Sequence, residues 1–142
     1  ENNLDPGRTN QGTAVLNAFL TIDNYEESVQ YLKDLKMTSP GNFIVGGVKS
    51  NEGIVITRTE DDVSHLFEIS DDNWFVAMTN VDVWQTADSR YENAIKFMGE
   101  LGRENVHVDG QSIIEEVLWR DGVIQDDTIF TAAISANKDF RE

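Results

Sequence analysis

No cysteine occurs in the 142 residues. Disulfides, thiolate metal sites and a cysteine nucleophile are therefore excluded from these residues. No apolar run approaches the ~20 residues that a membrane-spanning helix needs. There is no N-x-[ST] sequon, and the opening stretch, Glu1 to Gly12, is polar rather than signal-like. Positive charge is scarce. Eleven Lys and Arg stand against 26 Asp and Glu, a formal charge of −15, with an isoelectric point near 4.3. Such a surface repels phosphate backbones and argues against nucleic acid as a partner. Anionic membranes are repelled at neutral pH. At acidic pH carboxylates take up protons and the repulsion weakens, which permits an acidic compartment. Histidine is limited to His65 and His107, without metal-ligand spacing. No motif calls for a metal or a cofactor.

What is present supports a folded chain. Hydrophobic residues make up 39%, enough for a core. The length suits one domain, or one piece of a larger one. Residues 1–12 read as an irregular lead-in. Thr13 to Ile22 is an apolar run with helical character. Asn24 followed by Glu27 reads as a capping box. Tyr25, Val29, Leu32 and Leu35 then share one helical face, and Ser39-Pro40-Gly41 closes the helix.

A strand-rich stretch follows. Asn42 to Val48, Gly53 to Thr59, Ser64 to Ile69 and Trp74 to Thr79 read as a meander of antiparallel strands, with turns at Asn51-Glu52-Gly53 and Asp71-Asp72-Asn73. Both faces of Trp74 to Thr79 are largely apolar, so that strand is expected to be covered on both sides. Ser89 and Glu92 form a second capping pattern, and Gly102 is the expected stop. A third helix is expected from about Gln111 to Trp119, burying Ile113, Ile114, Val117 and Leu118. Asp121-Gly122 is a turn, and Thr128 to Ser135 a last strand.

Two residues carry the sharpest chemical signal. Arg90 sits in the first turn of a helix, where a cation opposes the macrodipole. Either a salt bridge to Asp82, Asp88 or Glu92 compensates, or an anionic ligand or developing oxyanion does. Asn80 ends an apolar strand, as turn chemistry or as an oxyanion-hole amide. Trp84, in the loop between them, suits the wall of an apolar channel. Trp74, Trp84 and Trp119 otherwise read as core. Gly46-Gly47 suits a close backbone approach, and Glu52 reads as a turn carboxylate. Arg58 shares a strand face with Ile54 and Ile56, so an inward arginine there needs a partner and is a weaker site candidate. Asp71-Asp72, Asp126-Asp127 and Glu60-Asp61-Asp62 read as solvated turns.

The segments N-Y-E-E-S-V-Q-Y-L-K-D-L-K, F-I-V-G-G-V-K-S-N-E-G-I-V-I-T-R, W-F-V-A-M-T-N-V-D-V-W and D-S-R-Y-E-N-A-I-K, in that order, resemble the larger processed subunit of the acid ceramidase and N-acylethanolamine-hydrolysing acid amidase family. The resemblance runs over about residues 24–135. It implies an α+β chain, part of the α/β/β/α sandwich of N-terminal-nucleophile hydrolases, with several strands supplied by a segment outside these residues. In such enzymes a proenzyme cleaves itself, and the new N-terminal cysteine attacks a fatty-acid amide. The resemblance implies Asn80 as an oxyanion donor and Arg90 as the arginine that orients catalytic groups. Trp84 and Glu52 are the candidate substrate-binding residues. It further implies a cysteine-bearing companion segment, a lipid amide substrate, no cofactor, and a lysosomal or extracellular location. Val81 replaces the family's aromatic, and Asp88-Ser89-Arg90-Tyr91 replaces its D-D-R-R. Two other readings compete: a non-catalytic member acting as a scaffold, and an amidase of the bile-salt or penicillin type with a polar substrate.

Overall fold

The computed structural model describes residues 7–81, 88–106 and 110–136. The chain divides into two compact units, Glu1–Val76 and Ala77–Glu142.

In the first unit, Asn10 caps helix α1 (Gln11–Thr21), its side chain accepting from the Thr13 amide at 2.9 Å. Asn24 does the same for α2 (Tyr25–Asp34) through the Glu27 amide, also at 2.9 Å. Glu26 and Glu27 occupy the first turn of α2 and Lys33 the last, the charge arrangement that a helix dipole favours. The helix stops at Asp34, five residues before the proline-containing stretch that the sequence marks as its limit. Leu35 is already extended, because Arg58 takes up the last carbonyls, as described below.

Strands β1 (Gly41–Gly46), β2 (Gly53–Arg58) and β3 (Val63–Glu68) form an antiparallel sheet in sequential order. Gly41 pairs with Arg58 and Gly46 with Gly53; Ile54 pairs with Glu68 and Ile56 with Leu66. The β2–β3 ladder shifts register between Thr57 and Arg58. Alternation along the strands puts Phe43, Ile54 and Ile56 on one face, where they join Ala14, Leu32 and Met37 in the core. Tyr25, Val29 and Leu35 pack against this cluster from α2, as their helical spacing predicts.

The second unit carries α3 (Ser89–Leu101), a 3-10 turn (Arg103–Asn105) and α4 (Gln111–Ile113), which runs on into a π-helical turn, Ile114–Leu118. The cap of α3 is Asp88, not Ser89: the Asp88 carboxylate accepts from the Tyr91 amide at 2.7 Å. Both residue types cap well, and the longer acceptor one position earlier prevails. The helix ends at Gly102, as expected. Across Gln111–Leu118 the buried residues are Ser112 and Val117; Ile113, Ile114 and Leu118 are only half-buried. The π turn offsets the side chains from the spacing that a regular helix would give.

Two expected strands do not form among the described residues. Trp74 to Thr79 is half-buried but pairs with no strand among the described residues, and Thr128 to Ser135 is likewise unpaired. Ile129, Phe130 and Ile134 are 94%, 81% and 89% exposed. A strand needs a neighbour to hydrogen-bond its backbone, and none is supplied here. Trp119 is 55% exposed rather than core; its indole donates to the Thr131 hydroxyl at 3.3 Å.

Candidate functional site

The Ala77–Glu142 unit holds both sharp candidates. Asn80 is exposed in a bend just beyond Thr79. Arg90 is the second residue of α3 and half-buried. Its Nε donates to the carbonyl oxygen of Val123 at 2.9 Å. That carbonyl belongs to the turn at Asp121-Gly122, where the Val123 amide bonds the Arg120 carbonyl at 3.0 Å. Asn93, one helical turn after Arg90, donates to the carbonyl of Gly122 at 3.3 Å. Gly122 has φ +85, a conformation that suits glycine, and a Cβ there would meet the Asn93 amide nitrogen at 2.4 Å. A turn more than thirty residues along the chain therefore orients Arg90. Local charge pairing does not predict this contact, and a D-G turn alone gives no hint of its target.

Asp88 joins the two halves of the site. Its Oδ1 accepts the Tyr91 amide at 2.7 Å and the Thr79 hydroxyl at 3.3 Å. Thr79 immediately precedes Asn80, and Arg90 lies two residues after Asp88. The Thr79–Asp88 contact thus ties the segment that carries Asn80 to the start of α3. Sequence reasoning missed Asp88 by assigning the cap to Ser89. Asp82 and Trp84 lie outside the described residues, as does His107.

Glu52 and Arg58 belong to the first unit. Glu52 is 8% exposed. Its carboxylate accepts the Val48 and Lys49 amides at 2.9 and 3.0 Å and pairs with the Lys49 ammonium at 2.7 Å. The Lys49 side chain, followed by its own amide, holds the Glu52 carboxyl below its ordinary value. A Cβ at Gly47 would lie 2.3 Å from the same carboxylate, so the close approach expected at Gly46-Gly47 occurs at Gly47. Glu52 is the lock of the β1–β2 turn.

Arg58 is 1% exposed. Its guanidinium donates to the carbonyls of Leu32, Lys33 and Leu35, with longer bonds to Asp61 and Asp62. It closes the C-terminus of α2, where carbonyls lack intrahelical partners. Its partners are backbone oxygens, which makes it a structural arginine.

The remaining candidates are ordinary. His65 bonds the Ser64 hydroxyl at 2.9 Å and stacks on Phe67 at 6.2 Å. Asp61 pairs with Arg8 at 2.8 Å and Lys36 at 3.7 Å. Among the described residues no three His, Cys, Asp or Glu side chains come together to hold a metal, and no helix is long and apolar enough to cross a membrane. A groove of about 600 Å³ in the second unit is lined by Phe97, Glu100, Ser112, Glu115 and Arg120, among others; neither Asn80 nor Arg90 contributes to it. Arg120 is already committed there, lying 3.6 Å from the Phe97 ring centre and 2.8 Å from Glu100.

No protein-family model matches the chain. Known proteins do. Acid ceramidase of Rattus norvegicus is 33% identical over 121 residues, covering 82% of this chain and 30% of that protein. N-acylethanolamine-hydrolyzing acid amidase of Caenorhabditis elegans is 36% identical over 94 residues, 64% of this chain and 26% of that protein. A solved structure of the C. elegans N-acylethanolamine-hydrolyzing acid amidase ortholog aligns with a TM-score of 0.70 at 31% identity, covering 80% of this chain and 48% of that one. The chain therefore spans roughly 30% of the length of the curated ceramidases it matches. Its helices and three-stranded antiparallel sheet are a partial α+β fold of the N-terminal-nucleophile hydrolase type. On sequence and fold together, the chain belongs to the acid ceramidase and N-acylethanolamine-hydrolysing acid amidase family.

Proposed function

We propose that this chain is the major part of an amide hydrolase acting on a lipid amide, a ceramide or an N-acylethanolamine. Its nucleophile is an N-terminal cysteine on a segment outside these residues. Both compact units then belong to one larger hydrolase domain, made by self-cleavage of a proenzyme and working in an acidic, lysosome-like compartment. The observation that supports this reading most is the hydrogen bond from Thr79, next to Asn80, to Asp88, two residues before Arg90, in a chain 33% identical to an acid ceramidase.

The chemistry follows from the residue types. The cysteine sulfur attacks the amide carbonyl carbon while its proton passes to the free α-amine of the same residue. The carbonyl oxygen becomes an oxyanion. Asn80 donates its side-chain N–H to that oxygen, and its exposure leaves the amide accessible to a substrate. Collapse breaks the carbon–nitrogen bond, and the α-ammonium returns its proton to the leaving amine. Water then attacks the thioester, releasing the fatty acid and restoring the thiol. Arg90, held through Nε by the Val123 carbonyl, orients the groups around the anionic centre. The aromatic side chain of Trp84 suits it by residue type to contact an acyl chain. Glu52, the other residue assigned to the substrate, locks the β1–β2 turn.

The test is hydrolysis of ceramide and of an N-acylethanolamine by the full-length protein at acidic pH. Asn80→Ala and Arg90→Ala should each lower turnover by roughly 10²–10³, the usual cost of a lost transition-state donor. Unchanged turnover in both variants would overturn the assignment.

A further inference from the structure

We infer that Asp88 is a positioning residue for the amide-hydrolysing site, fixing Asn80 and Arg90 relative to each other through a single carboxylate oxygen. The inference rests on the hydrolase reading above and adds to it a residue that touches neither substrate nor nucleophile.

Capping alone does not account for what Asp88 does. An N-cap side chain is satisfied by one amide of the first turn, and the Tyr91 amide fills that role at 2.7 Å. The same Oδ1 also receives the Thr79 hydroxyl from nine residues earlier, at 3.3 Å. Asn80 lies in a bend, outside any helix or strand. A donor amide in such a segment keeps its aim only if something nearby holds the backbone. Thr79 is that anchor, one residue away. On the other side, the first turn of α3 starts from Asp88, through the Tyr91 bond and the Glu92 amide to the Asp88 carbonyl at 3.0 Å. Arg90 lies between Asp88 and these two amides, and its guanidinium is steadied from beyond by Val123. Asp88 therefore fixes both where the asparagine segment ends and where the arginine turn begins. Small displacements suffice to matter, since a misplacement of ~1 Å can cost about 10²-fold in rate.

The residue types separate capping from bridging. Serine at position 88 caps a helix as well as aspartate does, but its side chain is one atom too short for both partners. Asparagine keeps an acceptor oxygen at the same reach. Valine at position 79 keeps the shape of threonine and removes the hydroxyl, whereas serine keeps the hydroxyl.

The experiment measures kcat, KM and thermal midpoint for the full-length hydrolase. Thr79→Val and Asp88→Ser should each lower kcat roughly tenfold, with KM and the melting midpoint nearly unchanged. Thr79→Ser and Asp88→Asn should retain most of the wild-type kcat. The Thr79→Val, Asp88→Ser double variant should lose no more than either single one, as for two ends of one contact. Asn80→Ala is measured beside them. If Asn80→Ala cripples turnover while Thr79→Val and Asp88→Ser leave kcat intact, the positioning role is overturned and the hydrolase reading stands. The role is likewise overturned if these two variants only lower the melting midpoint. If Asn80→Ala has no effect, the assignment of Asn80 fails and the positioning role fails with it; if the wild-type protein hydrolyses neither amide, the hydrolase reading itself fails.

Discussion

The guanidinium of Arg58, near the end of the central strand, donates to the carbonyl oxygen of Leu32 at 2.7 Å, near the end of α2. Lys33 and Leu35 supply further carbonyls to the same group. A charged side chain thus does for the C-terminus of a helix what glycine motifs more often do. Burial pushes the pKa of Arg58 down, while Asp62, Asp34 and Asp61 act in the opposite sense. Arg58→Met would leave these carbonyls without a donor in a site that is 1% exposed. The expected loss is about 3 kcal/mol or more of folding stability, read as a lower urea midpoint with unchanged slope. Arg58→Lys should fall between, since an ammonium cannot span the same carbonyls. A near-wild-type midpoint for Arg58→Met would contradict the capping role.

Acid stability carries a second signature. The folded-state pKa of Glu52 lies below its ordinary value of 4.5, chiefly because of the Lys49 ammonium and then the Lys49 amide. A depressed carboxylate contributes stability above its unfolded pKa and loses it as pH falls through the folded value. The contribution is therefore intact down to about pH 4.5, and it fades only below that. Asp61, held down by Arg8, behaves in the same way from 3.8 downward. Lys49, raised above 10.5 by Glu52 and Glu26, contributes below 10.5 and loses its share as pH climbs through the folded value. Glu52→Gln should accordingly lower the melting midpoint at pH 6 and flatten its fall below pH 4.5. Parallel melting-versus-pH curves for the two proteins would show that the turn does not depend on the carboxylate charge.

The turn that steadies Arg90 can be tested at one glycine. Gly122→Ala places a side chain at φ +85 and against the Asn93 amide. The left-handed conformation costs about 1–2 kcal/mol for an L-residue, so the melting midpoint should drop. Because Asn93 and Val123 sit on either side of this turn, turnover should drop further than the stability loss explains. Unaltered turnover in the folded variant would remove the turn from the account of Arg90.

How far the sequence can be read depends on how far apart the interacting residues lie. The helix start at Asn24, the β1–β3 meander and the stop at Gly102 follow from side chains within four residues or from period-two alternation, and all are visible without a structure. Asn80 and Arg90 also stand out locally, as an amide ending an apolar run and a cation at the wrong end of a dipole. What holds them does not. The Val123 carbonyl is thirty-three residues from Arg90, and no local pattern encodes it. Arg58 shows the same limit: its inward position is legible from strand alternation, whereas its helix-end partners come from tertiary packing. Trp74 to Thr79 and Thr128 to Ser135 have strand-like composition but find no strand partner among the described residues, since composition does not supply a neighbour. The cap at Asp88 was displaced by one residue because adjacent Asp and Ser both satisfy the capping rule.

Exposed apolar side chains give a further expectation. Phe19, Ile129, Phe130 and Ile134 are 83%, 94%, 81% and 89% exposed, and such groups promote association. The isolated 142-residue chain should self-associate, as measured by sedimentation velocity. Replacing Ile129, Phe130 and Ile134 with serine should shift it toward monomer. If the wild-type chain is monomeric across the micromolar range, those residues are not adhesive in solution.

The central claim is that Asn80 and Arg90 serve a cysteine nucleophile carried on another segment. The most direct measurement is denaturing intact-mass spectrometry, with N-terminal sequencing, of everything that co-purifies with this chain from its natural source. The account predicts a companion segment whose first residue is cysteine and which a thiol-reactive acyl probe labels. No companion, or one beginning with another residue and unlabelled, would contradict the hydrolase reading and leave a family fold used as a scaffold.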